Sequence, residues 1–110
     1  MRIEYLNHAS VIIKSDEQSL LCDPWFSGTA FGGGWGLQFD NPEALQKARS
    51  CTHLWISHFH PDHLHVPTLR QLAALSPEIT ALANDSANFR MSEALQQAGF
   101  QNIVPLCERR

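Results

Sequence analysis

Long apolar runs are missing from this chain. Its longest β-branched stretch, Val11-Ile12-Ile13, falls far short of the roughly 18 residues a membrane span requires. The opening residues Met1-Arg2-Ile3-Glu4-Tyr5 hold an early acid and no apolar h-region, so no secretory leader is expected. Basic blocks are also lacking: 8 Lys+Arg against 11 Asp+Glu leave a formal charge of −3, which argues against a nucleic-acid binder. Cysteine is scarce. Cys22, Cys51 and Cys107 are odd in number and contain no Cys-x-x-Cys, so the expectation is three reduced thiols in a cytoplasmic protein. No internal repeat is visible, and no low-complexity tract beyond Gly32-Gly33-Gly34. With 110 residues there is room for one domain or part of one, which can bury roughly two-thirds of its unfolded surface.

Hydrophobic patterning predicts an α/β chain. Arg2–Leu6 alternates polar and apolar residues, Ala9–Lys14 is rich in β-branched residues, and Ser19–Asp23 is a short apolar run ended by Pro24. The polar turn Ser15-Asp16-Glu17-Gln18 joins the last two as a hairpin. From Pro24 to Asn41 the chain reads as a long loop with clustered glycines and the aromatics Trp25, Phe26, Phe31, Trp35 and Phe39. These either plug the core or meet a ligand. A helix is expected from Asn41 as N-cap and Pro42 as first helical residue, then a buried strand over Thr52–Ser57. A second helix starts at Pro67, carries Leu69, Leu72 and Leu75 inward and stops before Pro77, and a strand follows over Glu78–Ala83. A third helix, capped by Asp85 or Ser86, carries Phe89, Leu95 and Ala98 on one stripe and ends at Gly99. A last strand covers Asn102–Leu106. The second half is therefore β-α-β-α-β, which implies a mostly parallel sheet with right-handed crossovers.

Histidine is the unusual residue. Four of the six lie between positions 58 and 65, in Ser57-His58-Phe59-His60-Pro61-Asp62-His63-Leu64-His65. In extended backbone His58 and His60 point to the same side, so both imidazoles reach one cation. Pro61 turns the chain, and Asp62 and His63 then approach from another angle and serve a neighbouring cation. Three imidazoles and a carboxylate suit Zn²⁺, and the same donors accept Mn²⁺ or iron. The C-terminal end of a parallel strand is also where α/β sheets gather active sites. At this composition a chance His-x-His-x-Asp-His occurs in roughly 8 × 10⁻⁴ of such chains, so the pattern is specific.

At these residues the sequence resembles the metallo-β-lactamase superfamily, whose signature is His-x-His-x-Asp-His after a strand. Asn7-His8-Ala9-Ser10 before Val11-Ile12-Ile13 is similar to the family's opening hairpin, and Leu21-Cys22-Asp23-Pro24 to its early aspartate motif. Asp23-Pro24-Trp25 with Gly28, and Pro67-Thr68-Leu69, resemble more narrowly the branch of CMP-N-acetylneuraminate hydroxylase, the related phospholipase D and the sugar-phosphate lactonases. The resemblance implies half of an αββα sandwich, antiparallel opening strands and then β-α-β-α-β, with a dinuclear site at the sheet edge. His58 and His60 would hold one metal, Asp62 and His63 the other. Two cations roughly 3.5–4 Å apart lower the pKa of a shared water toward neutrality, and Asp62 would also hold that water in line. Asp23 would orient a ligand through a hydrogen bond, unless it is only a strand-end acid before Pro24. His8 would lie near the site, or else serve as a hydrogen-bonded turn residue.

The pattern then breaks. The family needs three more ligands downstream, a histidine, a bridging aspartate and a last histidine, yet no histidine follows His65 and Asp85 is the only later aspartate. Residues 1–110 therefore read as the amino-terminal part of one incomplete domain. Without a second sheet, an apolar face larger than the usual few hundred Å² is expected to lie open, to be covered by a dimer mate or a complementing chain. His53 reads as a satisfied core or face residue beside Trp55, and His65 as a solvent-facing residue where the second helix starts, with support of a metal ligand as its alternative. Cys51-Thr52-His53 matches half of a Rieske signature whose partner Cys-x-x-His is absent, which rejects an iron–sulfur centre within these residues. The leading expectation is a metal-dependent hydrolase, or its metal-motif half, acting on an ester, lactone or phosphodiester. The alternatives are a non-catalytic metal-binding remnant and the metal-binding part of an oxidoreductase resembling the sialic-acid hydroxylases.

Overall fold

The opening strands form because their apolar residues alternate and tight turns join them. A computed structural model of the chain describes residues 1–26, 29–30, 35–36, 43–57, 64–84 and 91–106. β1 (Arg2–Asn7) pairs antiparallel with β2 (Ser10–Ser15), and β2 with β3 (Gln18–Cys22). Asp16, at φ 52°, makes the β2–β3 turn, where a short polar side chain tolerates the left-handed region. β6 (His53–Trp55) then lies parallel to β3, followed by β7 (Thr80–Asn84) and β8 (Asn102–Leu106), also parallel. The six-stranded sheet runs in the order β1-β2-β3-β6-β7-β8. The expected β-α-β-α-β half is present, with α2 (Val66–Leu75) and α3 (Met91–Ala98) as the crossovers. β4 (Thr29–Ala30) and β5 (Trp35–Gly36) form a separate two-stranded pair within the stretch expected to be loop.

One face of the sheet carries the core. Ile12, Leu21, Leu54 and Ala81 are neighbours across four strands and are fully buried. Leu69 and Leu72 of α2, and Met91 and Leu95 of α3, join them in one cluster. α1 (Ala44–Ala48) adds Ala44 and Ala48 to the same core. It is tied to β1 by Lys47, whose Nζ lies 2.6 Å from a Glu4 carboxylate oxygen. That bond holds the Glu4 carboxyl below the usual glutamate value and raises the Lys47 ammonium. The cap of α1 is Glu43, which makes no side-chain capping bond; the start expected at Asn41-Pro42 lies outside the described residues. Gly99, at φ 120°, stops α3 as expected, and a Cβ there would come within 3.2 Å of the Ala73 side chain of α2. Asp85, Ser86 and Phe89 lie outside the described residues.

The other face is largely apolar and, among the described residues, only partly covered. One register row across it is Ile3, Ile13, Leu20, His53, Thr80 and Asn102, and the next is Tyr5, Val11, Cys22, Trp55, Leu82 and Val104. None of the twelve is buried; Ile3 is 69% and Tyr5 54% exposed. His53 accordingly is a face residue, with Nδ1 2.7 Å from the Thr52 hydroxyl.

The strand directions decide where chemistry gathers. β1, β3, β6, β7 and β8 all run the same way, so they end at one edge of the sheet. His8 follows β1 there, Asp23 follows β3, and Ser57 follows β6.

Candidate metal centre

Asp23 stands at this edge in the left-handed region, φ 45°, with its backbone N–H donated to the Trp55 carbonyl at 3.0 Å. That bond continues the β3–β6 ladder by one residue, and the positive φ turns the carboxylate back toward the end of β6. One carboxylate oxygen accepts from the Ser57 N–H at 2.6 Å and the other from the Ser57 hydroxyl at 2.7 Å. Asp23 is buried, and a carboxylate that accepts two donors offsets the cost of its own desolvation. The partner of Asp23 seen here is thus the residue immediately before the histidine motif.

The motif itself, His58, His60, Asp62 and His63, lies outside the described residues; its two flanks do not. The second flank is His65, the N-cap of α2, with Pro67 in the first turn. Its Nδ1 accepts from the Thr68 N–H at 3.3 Å and lies 2.7 Å from the Thr68 hydroxyl oxygen. The Thr68 hydroxyl in turn accepts from the Phe26 N–H at 3.2 Å. The Trp25 indole stacks on the His65 ring, centroids 5.5 Å apart and planes 29° from parallel. His65 is 3% exposed, which corrects its reading as a solvent-facing residue: the chain after β3 returns over the start of α2 and covers it.

His8, exposed and at φ 47° in the β1–β2 turn, meets Trp25 edge-on with centroids 5.0 Å apart. Trp25 is therefore the hub of the edge, with His8 against it on one side and His65 on another. Its burial, with that of Phe26, gives these two aromatics of the 24–41 stretch a packing role. Phe31 and Phe39 lie outside the described residues. Trp25 Nε1 is buried and has no hydrogen-bond partner among the described residues. Burial pushes the Cys22 and Cys51 thiols up, so both stay protonated and poorly nucleophilic at neutral pH.

Sequence reasoning named His8, Asp23 and the motif but missed Ser57, Trp25 and Thr68 as supports. Thr68 carried a signal: His65 and Thr68 stand at N-cap and N3 of α2, the spacing at which a capping side chain meets the first turn. Among the described residues, no group of three or more His, Cys, Asp or Glu lies together as a metal site would require.

Comparison with known proteins identifies the family and the fold. The family model described as a beta-lactamase superfamily domain matches residues 2–104. Cytidine monophosphate-N-acetylneuraminic acid hydroxylase of Cricetulus griseus is 36% identical over 110 residues, covering 96% of this chain and 19% of its own length. The solved structure of CmlA, a diiron beta-hydroxylase from Streptomyces venezuelae, matches at a TM-score of 0.65 and 25% identity, over 96% of this chain and 20% of that one. An isothiocyanate hydrolase from Delia radicum gut bacteria matches at a TM-score of 0.65 over 96% of this chain and 42% of that one. At 14% identity it speaks for the fold alone. The chain spans about a fifth of the length of the curated relatives it matches. With the family match over nearly all of its residues, and a six-stranded sheet flanked by three helices, the chain belongs to the beta-lactamase superfamily and forms part of a metallo-β-lactamase fold.

Proposed function

We propose that this chain is the metal-holding part of a metal-dependent enzyme, with His58, His60, Asp62 and His63 as ligands. The observation that carries the reading is the setting of the quartet. It starts directly after Ser57, at the edge where β1, β3 and β6 end, and contacts from residues 23–26 hold both of its flanks. Three imidazoles and one carboxylate are donors of the right chemistry for zinc, manganese or iron. When bound, such a cation supplies a Lewis acid and an activated water. In this reading Asp62 both ligates and orients the attacking water, Asp23 supports the segment through Ser57, and His8 stands near the site. Four donors do not complete two sites, and the rest come from beyond these 110 residues.

For the reaction class, hydroxylation is favoured by the relatives, the CMP-N-acetylneuraminic acid hydroxylases and the diiron CmlA, and with it iron as the metal. The second reading is hydrolysis of an ester, lactone or phosphodiester, which the superfamily match supports at a coarser level. The small-molecule substrate is unidentified in both. No helix among the described residues is long and apolar enough to cross a membrane. We propose a cytoplasmic location, because Cys22 and Cys51 are free thiols rather than disulfide partners. The open sheet face is covered in the working protein by a second layer, from a dimer mate, a complementing chain or further residues of the domain.

The test is turnover of p-nitrophenyl phosphodiesters by the chain loaded with zinc, manganese or iron. The expected result is sub-stoichiometric metal uptake with little turnover. Robust turnover abolished by His60→Ala would contradict the incompleteness of the site and favour the hydrolase.

A further inference from the structure

The four residues Asp23 to Phe26 reach both flanks of the 58–63 segment. Asp23 meets Ser57 at its start, while Trp25 and Phe26 meet His65 and Thr68 at its end. The second attachment is more elaborate than helix capping requires. An N-cap needs one small acceptor for an N–H of the first turn, and Asn, Asp or Ser supplies it best. Here the acceptor is an imidazole nitrogen, the ring is buried, and an indole lies against it.

Donor roles define the ring further. The Thr68 N–H donates to His65 Nδ1, so that nitrogen carries no proton. The Thr68 hydroxyl accepts from the Phe26 N–H and directs its own proton at the same Nδ1, 2.7 Å away. In the neutral ring the proton therefore sits on Nε2. Ring plane and tautomer are both set, the first by Trp25 and the second by Thr68, and Thr68 is anchored to the backbone just beyond β3.

We propose that His65 is a positioning residue for the metal-binding segment. Through Thr68, Phe26 and Trp25 it ties the chain two residues beyond His63 to the end of β3, and this anchoring of the flank would lower the cost of metal binding by the motif. This rests on the metal-holding reading above. A ligand segment fixed at both ends loses less conformational freedom on binding, and removal of such supports typically weakens metal affinity about 10–100-fold.

The experiment compares zinc affinity, by competition with a chromogenic chelator, in the full chain and in His65→Ala, His65→Asn and His60→Ala. The unfolding midpoint of each metal-free protein is measured alongside. His65→Asn keeps an acceptor for the Thr68 N–H but has no ring for Trp25. The expected result is that it restores the midpoint lost in His65→Ala yet leaves zinc affinity at least about tenfold below wild type. If His65→Asn recovers the affinity together with the midpoint, His65 is only a cap and the proposal is overturned. It is overturned equally if His65→Ala binds zinc within twofold of wild type. A folded wild-type chain that takes up no zinc overturns the metal-holding reading, and this inference with it. Apart from metal, ¹⁵N shifts of the His65 ring should show an unprotonated Nδ1 and a protonated Nε2; the reverse tautomer overturns the proposal.

Discussion

Two non-glycine residues at the functional edge, His8 and Asp23, occupy the left-handed region, which costs about 1–2 kcal/mol each for an L-residue. At Asp23 the cost is offset by two hydrogen bonds from Ser57 to a buried carboxylate, a class worth about 1.5–3 kcal/mol apiece. Asp23→Ala keeps the strained backbone and loses both bonds. Chemical denaturation should show a loss of about 2 kcal/mol or more, and Asp23→Asn, which still accepts from the Ser57 N–H, should lose less. At this scale the sequence was legible where residue type alone carries the chemistry. Asp23 before Pro24 and the clustered histidines stood out for that reason. The burial of His65 was not legible because it depends on Trp25, forty residues earlier in the chain, and no local pattern reports that approach. Ser57 bonds to Asp23 across 34 residues, and the Thr68 hydroxyl accepts from Phe26 across 42, which its local spacing to His65 does not report.

Among the elements, strands and helix ends were legible and the long connection was not. β1, β2, β3, β7 and β8 fall within two residues of their expected bounds because alternation and the flanking turns mark them. The pair β4–β5 has two residues a side, too few for any periodicity to show. α1 follows Glu43, which makes no side-chain capping bond. Gly99 was legible as a stop, and the structure adds the reason it must be glycine. Gly99→Ala should destabilise by about 1–2 kcal/mol in denaturant unfolding, since it adds a Cβ at positive φ against Ala73. The α1–β1 tie has a pH signature. Lys47 depresses the folded-state pKa of Glu4, so the stabilisation is present above the unfolded glutamate value and fades as pH falls through the folded one. Glu4→Gln should therefore narrow the stability difference between neutral and acidic pH, read from melting midpoints across that range.

The whole molecule is a sheet with one finished face. Helices cover the row through Ile12, Leu21, Leu54 and Ala81, while the rows through Leu20 and Cys22 stay open. Monomeric proteins rarely leave so much contiguous apolar area to water. Sedimentation velocity should show self-association of the chain, with binding of a hydrophobic dye. Ile3→Lys combined with Val104→Lys, at two well-exposed positions of that face, should lower both at little cost in unfolding free energy. A tight wild-type monomer that leaves the dye dark would contradict the open face. This feature was expected from the resemblance, because the superfamily's sandwich lays a second sheet on that face and these residues supply only one.

The central claim is that the quartet grips a divalent ion. Equilibrium dialysis of the full chain against zinc, beside His60→Ala, with bound metal counted by mass spectrometry, tests it most directly. Zinc should be retained by the wild type, below full occupancy of two sites, and near none should remain in the variant. Equal retention in both, or none in a folded wild type, would contradict the claim.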